Sequence, residues 1–383
     1  MSKRIRGWQL AVAVVVGALT VPAAGVSKPT SGPPTSIGAG EGKLTLVAWQ
    51  GYTEKQWLAP FEKQSGCKVS VKYANTSDEM VTLMRSGGGG QYDMVSASGD
   101  ASLRLIYGGD VAEVNVNLVK PWKDFFGAFK NPPNNTVKGK HYGISLQFGP
   151  NILLYNTKQE KRPASWSAIY DPANKGKITI PDNPIQIADG ALYLSKTKPA
   201  LGITDPYELT KPQFDAVVAL LKQQKPLIKK YWATASDQID LFKSGGSTLG
   251  ASWPYQYSQL KAAKAPVAYV IPKEGATGWL DTWMLSAKAK HPNCAYMWWN
   301  YISSPNVQAQ QATFYGETPV NKKACPFMNK LSKGSCTLYN ANAPESFYRS
   351  LKFWKTPLAD CGNGKKDCMD YTKWVQAWTE IKG

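Results

Sequence analysis

The chain has 383 residues, 43% hydrophobic and 19% charged, enough for two lobes of ordinary domain size and typical of a soluble globular protein. Its formal net charge of +18 invites a nucleic-acid reading, but lysines such as Lys222, Lys225, Lys229 and Lys230 are scattered, and no recognised binding motif concentrates them. The charge therefore reads as solvated surface, with attraction to an anionic membrane surface left open.

Lys3, Arg4 and Arg6 precede the apolar run at 10–21, and Ala23-Ala24-Gly25 offers small residues for cleavage. This is the pattern of a secretory signal at 1–25, with an apolar core too short for a membrane span. A retained anchor is the alternative. Loss of its three basic residues would take the net charge from +18 to +15. Residues 26–42, rich in Pro, Gly and Ser, are expected to form a flexible leader.

Lys43–Trp49 alternates as a strand. Thr53-Glu54-Lys55-Gln56 can act as a capping box for a helix with Trp57, Leu58 and Phe61 on its apolar stripe, ending at Gly66. Residues 67–73 form a second predicted strand, Ser77 opens a helix with Met80, Leu83 and Met84 inward, and 92–96 form a third strand. This order argues for a parallel or mixed sheet with helices on its faces. Glycines 87–90 are a turn and not a phosphate loop, since no Lys-Ser/Thr follows. Further along, 145–155 is strand-like with Gly149-Pro150 as a candidate crossover, and 176–180 feeds Pro181-Asp182. Thr210 caps a helix carrying Phe214, Val217, Val218 and Leu221, stopped by Pro226. A short amphipathic helix at 236–242, strands at 249–253 and 268–271, and a closing helix near 371–381 complete the reading.

Six cysteines in an exported chain favour disulfides, with fifteen pairings open. Cys361 with Cys368 and Cys325 with Cys336 bracket short basic loops and are the expected local bridges, leaving Cys67 with Cys294. Zinc is disfavoured: there is no CxxC, and neither His141 nor His291 lies at ligand spacing. With only those two histidines, and no HExxH, GxSxG, Walker loop or dinucleotide fingerprint, the chain is not expected to be an enzyme. No cofactor is implied.

The most informative stretch is 271–321. It carries a short strand, a turn with Glu274 and Gly275, the triplet Trp279-Leu280-Asp281 on a strand, an aromatic-rich helix, and the loop Gly316-Glu317-Thr318-Pro319. This order resembles bacterial extracellular solute-binding proteins of ABC importers, most closely the spermidine/putrescine-binding branch. The resemblance extends from about residue 43 to about residue 322. It implies an α/β, two-lobed type II periplasmic-binding fold with hinge crossovers: 43–148 plus 274–322 as the first lobe, 149–273 as the second, and 323–383 as a cysteine-containing extension with a closing helix. It also implies a monomeric receptor, soluble in the periplasm after signal cleavage. Such a receptor holds a small amine and docks on a membrane permease driven by a separate ATPase subunit, without nucleic acid.

The family pairs ligand ammonium groups with carboxylates and flanks the carbon chain with aromatic rings, because an unpaired buried charge is costly. Carried over by position, Trp49 and Tyr52 fit, while Gly51 stands where the family has an acid. Ser98 fits, and Asp100 replaces a ring. Asp182 falls on a ligand-binding Asp, Gln186 on a place often held by Glu, and Trp253 on a Trp that closes a strand. Trp279 and Asp281 match the Trp-x-Asp clamp, and Glu317 stands where the family has Tyr. Plainer roles compete: lobe packing for Trp253 and Trp279, helix capping for Asp182 and Asp100, and a polar loop for Glu317. Because acids are both lost and gained, a zwitterion, an anion or a metal ion on the same fold is an alternative ligand. A basic envelope adhesion or scaffold protein is the alternative of another class.

Overall fold

Strand β1 (Lys43–Trp49) is covered on both faces: Leu44, Leu46 and Ala48 join one apolar cluster and Val47 another. Such two-sided burial is what a parallel sheet flanked by helices requires. The computed structural model describes residues 32–86, 90–361 and 366–383. The expected signal, the leader as far as residue 31, and residues 87–89 of the glycine turn lie outside the described residues. Among the described residues, no helix is long and apolar enough to cross a membrane.

The strands follow in order as β2 (Lys68–Ala74), β3 (Met94–Ala97), β4 (Thr136–Val137), β5 (Lys140–His141), β6 (Ile144–Pro150), β7 (Ile152–Asn156) and β8 (Ile178–Pro181). Then come β9 (Ile228–Trp232), β10 (Leu249–Ser252), β11 (Val267–Val270), β12 (Thr277–Leu285), β13 (Thr318–Pro319) and β14 (Lys352–Phe353). The first lobe holds a sheet of order β13-β6-β12-β3-β1-β2, with β14 paired to β12. The second holds β11-β7-β10-β8-β9, and β4 and β5 form a separate hairpin.

The chain crosses between the sheets at Asn151, whose backbone N–H donates to Thr277 of the returning strand at 2.8 Å. It returns between β11 and β12, and a third passage leads from β14 to the helix Tyr371–Lys382. That third passage departs from the two crossovers read in the sequence. The segment after residue 322 is built into both lobes: β14 extends the first sheet, and Trp374, Trp378 and Ile381 enter the core of the second.

Two further departures have local causes. The helix Lys55–Ser65 has Glu54 at its N-cap without a side-chain bond, because the Thr53 hydroxyl is buried and shares a hydrogen bond with Tyr73 at 2.9 Å. Of the leader expected to be flexible, residues 33–42 belong to the compact unit. Ile37 packs on the first core, and Glu41 accepts from the backbone N–H groups of Asn293 and Cys294, both at 2.9 Å, at the start of the helix Pro292–Ile302. A carboxylate there satisfies orphan donors and meets the positive end of the helix dipole.

The cysteines pair as Cys67–Cys294, Cys325–Cys336 and Cys361–Cys368. Asp93 anchors the first lobe from inside. It accepts from the Thr45 N–H and hydroxyl, the Lys290 N–H, and the N–H and ring Nδ1 of His291, all within 3.0 Å. Burial alone would raise this carboxyl, but the bonds from Thr45, His291 and Lys290 outweigh it and hold it below its ordinary value.

Cys67–Cys294 closes a loop of 227 residues, the widest of the three. Urea unfolding of the Cys67→Ser/Cys294→Ser variant should therefore show a loss of about 2–5 kcal/mol, larger than for either local bridge. A carboxyl depressed by folding contributes stability that is present above its unfolded value and disappears as pH falls through its folded one. Asp93→Asn should accordingly cost about 1–3 kcal/mol at neutral pH, and its deficit against the parent should shrink as pH drops below about 4.

Candidate ligand site

The site grows from an irregularity in β12. Its pairing with β6 shifts register between Leu280 and Thr282, leaving Asp281 at a bulge, a device that redirects a side chain. The Asp281 carboxylate accepts from the hydroxyls of Tyr52, in the loop after β1, and Ser98, after β3, the latter at 2.5 Å. Ser98 is the N-cap of the helix Gly99–Tyr107, yet its hydroxyl serves Asp281 instead of that helix.

Beside Asp281 lies Glu317. The helix Pro305–Tyr315 ends at Gly316 with φ 79°, and the turn carries Glu317 into the interior. The Trp279 indole lowers its carboxyl against the push of burial, and its Oε2 has no partner. Asp100 accepts from the Ser77 hydroxyl at 2.8 Å through Oδ1, leaving Oδ2 bare. Trp279 approaches β6 where Gly149 leaves room; a Cβ there would sit 2.2 Å from the ring. Its ring meets Trp253 at 5.6 Å and Trp354 at 6.0 Å between centroids, and Trp253 meets Trp232 at 4.8 Å.

Asp281, Glu317 and Asp100 are 2%, 5% and 0% exposed, so each carboxylate has lost nearly all its water. Burial raises Asp281 to about 7, against the pull of Ser98 and Tyr52 and with help from the Asp100 charge. Burial and the neighbouring Asp281 push Glu317 well above its ordinary value. Burial lifts Asp100 to about 6, although Ser77 and Arg104 pull it down. Among the described residues, no Lys, Arg or His forms an ion pair with any of the three. Arg104 acts on Asp100 from a distance, its guanidinium bonded to Asp78 at 2.6 Å.

Tyr52, Ser98, Asp100, Trp253, Trp279, Asp281 and Glu317 are thus brought together. Asp182 is engaged elsewhere, while the Trp49 indole nitrogen and the Gln186 amide nitrogen are buried and without a partner among the described residues. The Trp49 ring packs against the clusters on either side of the first sheet. Asp182 accepts from Trp378 at 2.9 Å and from Lys382 at 2.6 and 2.8 Å, which ties it to the C-terminal helix. It is not a helix cap either; Asn183 takes that place. Gln186 lines a small cavity in the second lobe with Asp189 and Tyr170.

Three residues escaped the sequence reading. Gln256, one turn after Trp253, is fully buried with both amide atoms unpartnered, and the i, i+3 spacing was its only signal. Trp354 lies beyond the region of resemblance. Asp189, in the first turn of the helix Ile187–Thr197, accepts from Asn151 and Thr277 on the two crossovers, a tertiary relation with no local signature.

The lobes meet over the cluster through Trp253–Trp279 and Tyr255–Tyr315, with ring centroids 5.9 Å apart in the latter. With the lobes in contact the cluster is closed off from solvent. An open groove of about 650 Å³ on the outside of the first lobe, lined by Gln56, Phe61, Met297 and Tyr301, carries no charged side chain. We place the site at the buried carboxylates, where the charge is. His291 is bound to Asp93, and His141 packs on Trp122, both away from the cluster.

The arrangement offers charge and aromatic surface, the equipment of a binding pocket. Residues 56–334 match the sequence profile of bacterial extracellular solute-binding proteins. A putrescine/cadaverine-binding protein of Pseudomonas aeruginosa is 26% identical over 357 residues, covering 89% of this chain and 93% of that protein. A putative spermidine/putrescine ABC transporter of Listeria monocytogenes superposes with a TM-score of 0.73 at 19% identity, over 89% of this chain and 99% of that one. The periplasmic binding protein MotA of A. tumefaciens, solved with glucopine, gives a TM-score of 0.70 at 17% identity, over 89% and 100%. The chain belongs to the bacterial extracellular solute-binding protein family.

Proposed function

We propose that this chain is the receptor of an ABC importer for a small organic amine, held between the lobes and handed to a membrane permease whose ATPase is a separate subunit. One observation carries the reading: Asp281 and Glu317 are both buried near the Trp279 ring, and among the described residues no basic side chain pairs with either. Isolated buried charge is strongly unfavourable, so a positive group supplied from outside is the natural complement. The names of the amine-binding relatives support the same ligand class.

In this reading an ammonium sits at Asp281 and Glu317, with Asp100 as a further anionic position. Trp253, Trp279 and Trp354 flank the carbon chain, each ring able to add about 0.5–2 kcal/mol of cation–π attraction. The lobes, 43–148 plus 274–322 and 149–273, hinge at the crossovers; closure removes water and strengthens every charge pair inside. Asp182, Gln186 and Trp49 are left out of the ligand contacts.

Thermal-shift screening should show stabilisation by putrescine, cadaverine or spermidine and none by phosphate, sulfate or Fe³⁺; the reverse pattern contradicts the proposal. By calorimetry, Asp281→Asn should weaken amine binding by about 2–5 kcal/mol, the cost of leaving a buried charge unmatched. Asp182→Asn should leave affinity within about twofold, since its carboxylate already serves Lys382.

A further inference from the structure

We propose that amine capture at this site is an exchange, in which an incoming ammonium expels a proton held on the buried carboxyls Asp281 and Glu317. The inference rests on the amine reading above and adds a coupling that binding alone does not require. Its basis is the set of groups facing the two carboxylates. Asp281 meets the Tyr52 and Ser98 hydroxyls, the Trp279 indole acts on Glu317, and Glu317 Oε2 is buried and bare. Tyr315 stands beside both, and Asp100 adds a further acid. Beyond these, Glu54 and Tyr255 act on Tyr315, and Arg104 stands behind Asp100 in its pair with Asp78. Among the described residues, no Lys, Arg or His pairs with either carboxylate.

Two buried carboxyls whose charges act on each other, cut off from water, do not both ionise; they titrate as a unit and retain a proton. A ligand ammonium reverses this. It brings the positive charge, the carboxyl O–H gives its proton to water, and the net charge of the pocket is unchanged. Burial already raises Asp281 to about 7 and Glu317 well above its ordinary value, which puts the exchange near neutral pH.

The sign follows from linkage. A carboxyl raised by folding makes the ligand-free protein bind more protons than the unfolded chain, so its stability falls as pH climbs from about 4 to about 7. Amine affinity changes in the opposite direction, because at higher pH there is less proton to displace. A receptor built this way fills at neutral pH and empties in acid.

Calorimetric titration of the full chain with putrescine, at a pH of about 6 in buffers of different ionisation enthalpy, counts the protons. We expect about one proton released per bound diamine, and affinity rising about tenfold per pH unit between about 5 and 7. Glu317→Gln should reduce the count to less than about half, and Asp281→Asn serves as the second variant. Equal heats in all buffers, or a count unchanged in both variants, overturns the exchange while leaving the amine reading intact. Binding of neither putrescine nor any longer polyamine overturns the amine reading, and the exchange with it.

Discussion

Moving a carboxylate out of water costs several kcal/mol unless a cation or a proton meets it, and this protein does so with Asp281 and Glu317 in the closed space between its lobes. The surrounding structure can be understood as the means of holding that position. A bulge in β12 turns Asp281 inward, two hydroxyls from neighbouring loops hold its oxygens, and a left-handed glycine delivers Glu317 beside it. These donors are neutral, so they orient the carboxylates without cancelling their charge.

The aromatic frame and the crossovers link that charge to motion. Trp253 belongs to the second lobe and Trp279 to the first, so their contact exists only when the lobes are together. The third passage adds to this. Trp354 leans on Trp279, its backbone N–H donates to Gly278 at 2.7 Å, and its carbonyl presses so closely on Gly99 that a Cβ there would lie 1.7 Å away. One residue on, Lys355 is paired with Asp205 and Glu208 of the second lobe. The segment after β14 therefore straps the lobes together next to the acidic pocket. At the hinge itself, Asp189 bonds to both crossover strands, so lobe movement and the hydrogen bonds of that carboxylate are coupled.

The sequence showed most of the fold because its signals are local. Alternation in Lys43–Trp49, a left-handed glycine at Gly66 and the run at Thr210 each act within a few residues, and strands and helices stand where those patterns fall. Trp279 and Asp281 were read from the resemblance to the family's Trp-x-Asp, a pattern of two positions on one strand. What was not legible depended on distant partners. Asp182 has the right local setting for a ligand contact, but Lys382 reaches it from 200 residues away. Thr53 gave up its capping role to Tyr73, and residues 33–42 of a Pro/Gly-rich leader that reads as loose are pinned through Ile37 and Glu41. Trp354 sits in a stretch with no periodic pattern, and only the third crossover gives it meaning.

The most direct test of the central claim is a crystal structure of the protein grown with a saturating diamine such as cadaverine. Closed lobes are expected, with one ammonium nitrogen within about 3 Å of both the Asp281 and Glu317 carboxylates and the carbon chain against the Trp279 ring. A diamine seated away from those two carboxylates, or a basic side chain of the protein already occupying the space between them, would contradict it.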